Sequence, residues 1–167
     1  QMMRKLLFFS LLIFLTACNN PGKFTVAGTI AGADGKTLYF EKTGLVSDSL
    51  LDSIKLNTNG NFTFKTAIPE YPDLYRLKLG NQLLVLAADS TTKKIEINGK
   101  TEDLLTAEIK DSVQSEEIQK LRKSVIQLQN EADQLRFAKN PEQSKQVLDT
   151  FIQHVNRHKK MAIDLIL

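Results

Sequence analysis

The chain has 167 residues, 42% of them apolar and 25% charged, a composition that predicts a folded rather than a disordered protein. Setting aside Arg4 and Lys5, which lie in a leader, leaves 20 basic residues against 19 acidic ones, a balance with no electrostatic footprint for nucleic acid. The single cysteine, Cys18, excludes an internal disulfide, a CxxC redox pair and a multi-cysteine zinc site.

Translation is expected to start at Met2 or Met3, and Arg4 and Lys5 then form a positive n-region. Leu6 to Leu15, LLFFSLLIFL, is ten residues long. A membrane-spanning helix needs about 20 apolar residues, whereas a signal-peptide core needs roughly 7–15. Leu15, Thr16, Ala17 and Cys18 follow in the pattern of a bacterial lipobox: a branched apolar residue, two small residues and a cysteine. Small side chains let an extended backbone enter a membrane peptidase, and the Cys18 sulfur is the nucleophile that takes up diacylglycerol. Residues 1–17 therefore read as a lipoprotein signal peptide and 18–22 as a short polar tether. Asn19 is not the aspartate that retains some lipoproteins at the inner membrane, so the outer membrane, facing the periplasm, is the expected location.

Residues 23–100 read as strands. Phe24, Val26, Gly28 and Ile30 alternate with Thr25, Ala27 and Thr29. Asp34-Gly35 signals a hairpin turn before a second strand, Lys36 to Lys42. Asp52 to Leu56 alternates again, and Asn59-Gly60 gives a second hairpin signal ahead of Phe62 and Phe64. Pro69 and Pro72 bracket a loop, Leu74 to Leu79 and Gln82 to Ala87 flank a Gly80-Asn81 turn, and Lys93 to Gly99 closes the series. Turn-separated strands at this spacing predict an antiparallel sandwich or partly open barrel of about seven strands. Phe24, Phe40, Phe62 and Phe64 sit at alternating positions, which favours core packing over a ligand platform.

After Gly99 the residues become strong helix formers. Ile118, Leu121, Val125, Leu128, Ala132 and Leu135 follow a 3-4-3-4-3 spacing. Asn140, Pro141 and Gln143 read as an N-cap, a first-turn proline and a capping-box partner. Leu148, Phe151, Val155, Ala162 and Leu165 continue an apolar stripe. Residues 101–167 are thus expected to form a helical hairpin, about 103–138 then 141–166, in which the two helices pack on each other within one chain. MAIDLIL carries no stop signal, and more protein is expected beyond Leu167.

No constellation for catalysis emerges. His154 and His158 are four apart on one helix, but the HExxH pattern is missing and Arg157, Lys159 and Lys160 crowd them, so a solvated basic face is expected and no metal. In SDSLLDS, Leu50-Leu51 interrupts the alternate oxygens that a calcium loop needs, so Asp48 and Asp52 are expected in a capped turn. Glu102-Asp103 and Glu116-Glu117 read as first-turn helix charges. No GxGxxG and no GxSxG occurs. No cofactor is implied.

Several ordered segments carry a resemblance: Phe24 to Ile30, DGKTLYF (Asp34 to Phe40), Asp52-Ser53, NGNFTF (Asn59 to Phe64), YRLKLG (Tyr75 to Gly80) and IEINGK (Ile95 to Lys100). In this order they resemble the N-terminal domain of unknown function (number 4369) of Bacteroidetes lipoproteins. The resemblance implies a β-domain behind a lipobox, a helical spacer, and a following thioredoxin-like domain of the thiol–disulfide or peroxiredoxin type. The chain contains no WCxxC, so no catalytic residue carries over and redox activity is expected of the parent protein only. The expected partners are the membrane, through Cys18, and a downstream thioredoxin-like domain or an envelope protein substrate. A stand-alone lipoprotein binding a glycan or peptide is the alternative, and it predicts a concave, aromatic-lined sheet face.

Overall fold

The computed structural model describes residues 22–137 and 140–164. Eight strands come first: β1 (Lys23–Ala31), β2 (Thr37–Lys42), β3 (Ser49–Lys55), β4 (Asn61–Ala67), β5 (Asp73–Leu79), β6 (Gln82–Ala88), β7 (Lys94–Lys100) and β8 (Asp103–Lys110). Two helices follow, α1 (Val113–Phe137) and α2 (Pro141–Asp164). The strands form two four-stranded sheets, ordered β4-β1-β7-β8 and β3-β2-β5-β6. Neither sheet pairs with itself or with the other, so the expected sandwich is present and the barrel is not closed.

Alternation sets the inner faces. Phe24, Val26 and Ile30 of β1, Phe62 and Phe64 of β4, and Ile95 and Ile97 of β7 point inward from the first sheet and are buried. Leu38 and Phe40 of β2, Tyr75, Leu77 and Leu79 of β5, and Leu84 and Leu86 of β6 meet them from the second. Aromatic rings bridge the sheets: Phe24 meets Tyr75 edge-on at 5.1 Å and Phe40 stacks on Phe64 at 5.3 Å, while Phe40 also stacks on Tyr75 of its own sheet at 5.6 Å. The expected core role of Phe24, Phe40, Phe62 and Phe64 holds.

Four expectations are corrected. First, Asp34-Gly35 and Asn59-Gly60 do turn the chain, but β1 and β2 lie in different sheets, as do β3 and β4. Both turns are corners between layers rather than hairpins. At the second corner the Ile30 N–H donates to Gly60 O at 2.9 Å. Gly60 sits at φ 67°, and an added Cβ would lie 2.1 Å from the Ile30 carbonyl oxygen, so backbone approach as well as turn geometry demands glycine. Second, β1 and β7 pair in parallel, the one parallel pair in the sandwich. Here too a glycine permits the contact: a Cβ on Gly28 would lie 1.7 Å from Ile97 O.

Third, residues 103–110 form β8 and not the start of a helix. Leu104 and Ala107 are both buried although three residues apart, because the β7–β8 register shifts between Asn98 and Lys100. That irregularity replaces the period of two with a helix-like spacing. Glu102 accordingly lies in the two-residue β7–β8 turn, and Asp103 opens the strand. The β-domain therefore runs ten residues further than expected, to Lys110. Fourth, β3 starts at Ser49, ahead of the expected Asp52, and is an exposed edge strand.

The two sheet edges β6 and β8 are closed by the start of α1. Ser112 caps the helix, its Oγ accepting from Ser115 N–H at 3.2 Å. The Ala87 N–H on the β6 edge donates to Ser115 Oγ at 2.9 Å, and Gln119 Nε2 donates to Ala107 O of β8 at 2.7 Å. Backbone groups that a bare edge would leave open are satisfied by these polar side chains. From Ser115 at the β6 end to Gln119 at mid-β8, α1 runs antiparallel to β8.

The helical hairpin begins ten residues later than expected. Asn140 caps α2, accepting from Gln143 N–H at 2.8 Å, with Pro141 at the first helical position, as the sequence indicates. The helices pack antiparallel within the chain, with Glu131 opposite His154 and Ser124 opposite His158. Ile118, Leu121, Leu128, Ala132 and Leu135 are half-buried, Val125 is exposed, and the most buried α1 residues are Ser115, Gln119 and Glu131. Leu165, the last position of the expected α2 stripe, lies outside the described residues.

Candidate functional site

The expected lipid-attachment residue Cys18 and its box, Leu15, Thr16 and Ala17, lie outside the described residues, as do the signal peptide and most of the tether. What the fold does establish is where that segment enters. Gly22 O accepts the Ile68 N–H at 2.8 Å, and Lys23 then starts β1 opposite Ala67. The entry pole of the sandwich consists of this start, the ends of β2, β4, β6 and β8, and the starts of β3, β5 and β7.

Short bonds tie the entry pole together. Thr25 N–H donates to Lys93 O at 3.0 Å, bringing the β6–β7 connection beside the chain's entry. Thr43 N–H donates to Leu74 O at 2.9 Å and Lys42 pairs with Asp73 at 2.5 Å, which fixes the β2–β3 loop beside the β4–β5 connection. The hydrogen bond to Asp73 raises the Lys42 ammonium above its ordinary pKa. Within the β6–β7 connection, Thr91 donates to the Asp89 carboxylate through its hydroxyl at 2.7 Å and its backbone N–H at 2.9 Å. Together with Thr92, these bonds lower the Asp89 pKa.

This pole exposes apolar side chains. Leu45 and Val46 are fully exposed at 107% and 100%, Tyr71 at 73% and Val113 at 69%. Val113 lines one depression with Lys93 and Lys94. The exposed ionic groups carry both signs: Lys23, Lys65, Lys93, Lys94 and Lys110 lie here with Asp48, Glu70 and Asp111. The opposite pole is made of Asp34-Gly35, Asn57 to Gly60, Gly80-Asn81 and Thr101-Glu102, all polar or glycine.

The remaining candidates resolve as structure. His154 and His158 do not form a solvated basic face: both turn toward α1. The His154 ring nitrogen Nδ1 bonds Glu131 Oε1, and His158 Nδ1 lies 3.2 Å from Ser124 Oγ. Gln127 Nε2 donates to Glu131 Oε1 at 3.1 Å, while Glu131 Oε2 is buried without a hydrogen-bond partner among the described residues. The sequence signal for this cluster was visible only in part, because periodicity marks apolar stripes and not polar pairs. No group of three or more His, Cys, Asp or Glu able to hold a metal occurs among the described residues.

Asp48 pairs with Arg76 at 2.5 Å, and Arg76 also bonds Glu41, forming a half-buried network on the outer face of the second sheet. Asp52 Oδ1 accepts from Ser53 N–H at 2.7 Å in the edge strand. Glu116 sits in the first turn of α1 as expected. The outer face of the first sheet carries Thr, Ala, Lys, Glu and Asn, and a depression of about 490 Å³ there is lined by Thr29, Ala31, Asn98, Gly99, Lys100, Thr106 and Glu108. The outer face of the second sheet has one exposed ring, Tyr39. Among the described residues no second exposed ring joins Tyr39 on either outer sheet face.

The sandwich with the docked first turns of α1 is one packed unit from Phe24 to about Ile118. The family described as Domain of unknown function (DUF4369) matches residues 24–118, more than half of the chain. The chain belongs to the DUF4369 family. The matched segment ends just after Ser112 and Ser115, so the DUF4369 unit includes the helix start that closes β6, while the rest of α1 and all of α2 lie outside it. No curated protein matches the chain.

Proposed function

We propose that this DUF4369 chain is a lipid-anchored module of the bacterial cell envelope, non-catalytic by itself. In this reading it is the N-terminal positioning or protein-interaction part of a thioredoxin-like thiol–disulfide oxidoreductase lipoprotein. The single observation that carries the anchor is the register of the leader. A basic pair, a ten-residue apolar core and the Leu15-Thr16-Ala17-Cys18 box follow in order, immediately before the folded domain. Four residues lie between Cys18 and Lys23, so even a fully extended tether, five residue steps long, reaches at most about 18 Å. An acylated Cys18 would hold the sandwich against the bilayer, entry pole first. Diacylation supplies the two chains that durable anchoring needs, at about 0.8 kcal/mol per buried methylene.

Among the described residues no helix is long and apolar enough to cross a membrane. The outer membrane, facing the periplasm, is the proposed site, from Asn19 following Cys18. The redox partnership rests on the resemblance to thioredoxin-like lipoproteins. The sulfur of an acylated Cys18 is a thioether, which takes no part in thiol–disulfide exchange. Radiolabelled palmitate should mark the wild type and not Cys18→Ala; equal labelling of both refutes the anchor. The gene beyond Leu167 decides the redox half: a downstream domain with a CxxC or peroxidatic cysteine supports it, and an immediate stop codon removes it.

A further inference from the structure

The polarity of the sandwich goes beyond an anchor. Of the exposed large apolar residues in the β-domain and its junction with α1, Leu45, Val46, Tyr71 and Val113 are the most exposed, and all four lie at the entry pole. They come from three separate connections: the β2–β3 loop, the β4–β5 crossing and the β8–α1 junction. Hydrogen bonds of 2.8–3.0 Å tie the first two, together with the β6–β7 connection, around Gly22 and the start of β1. At the pole with the Asp34-Gly35 and Gly80-Asn81 turns, the turn residues are polar or glycine and the nearest exposed large apolar side chain among the described residues is Tyr39, at 38%. Adjacent, fully exposed Leu and Val at the tip of one loop are unfavourable in water, and burying them in an apolar medium is favourable.

We propose that the entry pole is a membrane-seating surface: Leu45, Val46, Tyr71 and Val113 enter the lipid interface and fix the orientation of the sandwich on the bilayer. The occupant is the lipid surface because the chain leading from this pole is the tether to the apolar leader and Cys18. This inference therefore rests on the anchored reading. Tyrosine suits the headgroup level, where its ring is apolar and its hydroxyl stays wet. With charges of both signs at this pole, Lys23, Lys65, Lys93, Lys94 and Lys110 beside Asp48, Glu70 and Asp111, apolar insertion is the recognition element and seating does not require anionic lipid. Seating on this pole directs α1, which runs from Val113 toward the opposite pole, away from the bilayer.

The chain has no tryptophan, so a single introduced one reports its own surroundings. Val46→Trp and Tyr71→Trp are compared with Asn81→Trp, which places the probe in the opposite pole. Each acylated full-length protein is reconstituted into phosphatidylcholine vesicles, with and without brominated acyl chains. Tryptophan at 46 and 71 should shift its emission to the blue and be quenched by the brominated lipid, while tryptophan at 81 keeps a water-like, unquenched spectrum. Leu45→Glu with Val46→Glu should abolish quenching at position 71 while the protein still co-sediments with the vesicles.

Unquenched, water-like emission at both 46 and 71 in vesicle-bound protein overturns the proposal. So does a blue shift that appears without vesicles and grows with protein concentration, which would assign the pole to a second copy of the chain. The mass of Cys18 reports the anchor separately. If that residue proves unmodified, the anchored reading fails on its own, and the same spectra are taken with the Cys18 thiol coupled to a maleimide phospholipid.

Discussion

The sandwich and the helical hairpin are stabilised by opposite means. Inside the sandwich, Phe24, Phe40, Phe64, Leu38, Leu77 and Leu84 are essentially inaccessible and interdigitate across two sheets. In the hairpin no described apolar side chain reaches full burial, and the most enclosed groups of α1 are Ser115, Gln119 and Glu131. The contrast teaches that the sandwich can stand on hydrophobic burial, whereas the hairpin depends on helix propensity, polar registration and its docking at one end. In proteins most helical stability comes from packing of an amphipathic face rather than from propensity, and here that face is only half-buried. The hairpin should therefore open locally without the sandwich, but not survive its loss. The family match agrees broadly with this division, since it ends at residue 118, within the Ser115-to-Gln119 stretch of α1 that docks on the sandwich.

The largest test of that asymmetry is Phe40→Ala. It removes a ring stacked on both Phe64 and Tyr75 and should cost about 3–5 kcal/mol. Denaturant unfolding should then show strand and helix signals lost together. A helical signal that persists after the sandwich has melted would break the comparison.

Ser115→Ala comes next. It leaves the Ala87 N–H without its 2.9 Å acceptor on the β6 edge, at a cost of about 1–3 kcal/mol. Hydrogen exchange should rise at Ala87 and through the first turns of α1, while β1 and β7 stay protected. Uniform acceleration throughout the sandwich would show that the helix start is integral to the core and does not merely close an edge. A double-mutant cycle of Glu131→Gln with His154→Ala should give a coupling of about 0.5–1.5 kcal/mol. Faster exchange should be confined to α1 beyond Gln119 and to α2. No coupling would mean that half-buried Leu128 and Phe151 carry the helix pairing instead.

The same contrast explains what could be read from the residues alone. Strands with strict alternation, such as Phe24 to Ile30 and Leu74 to Leu79, are legible because burial on one face imposes a period of two. Turn residues were legible too, but Asp34-Gly35 and Asn59-Gly60 encode only a local backbone geometry. Which sheet the next strand joins depends on packing between layers, and no local signal carries that. β8 was hidden because its bulge sets Leu104 and Ala107 three apart, and because Thr101-Glu102 turns without glycine or asparagine. The parallel β1–β7 pair joins segments about 70 residues apart, beyond the reach of any local periodicity. The histidines were misplaced for a related reason: the basic residues around them do face water, but His154 and His158 lie on the α1 side of the same helix. The entry pole became visible only when topology brought three distant connections to one end.

The smallest effect at neutral pH is expected of Tyr75→Phe, and its value lies in the pH dependence. The Tyr75 ring is 3% exposed in the sandwich core. Burial pushes its phenol above the ordinary value, Lys42 opposes that rise and Asp73 adds to it. A phenol that holds its proton more tightly when folded contributes stability that is complete below the unfolded value, near 10, and is lost as pH climbs through the folded one. The wild type should therefore lose stability with a steepening slope above about pH 10. Tyr75→Phe should be nearly neutral at pH 7 and flatten that slope. The hairpin contributes nothing to this term, so the alkaline transition should begin in the sandwich and take the helices with it. Helix loss at a lower pH than strand loss, unchanged in Tyr75→Phe, would place the alkaline weak point in the hairpin instead.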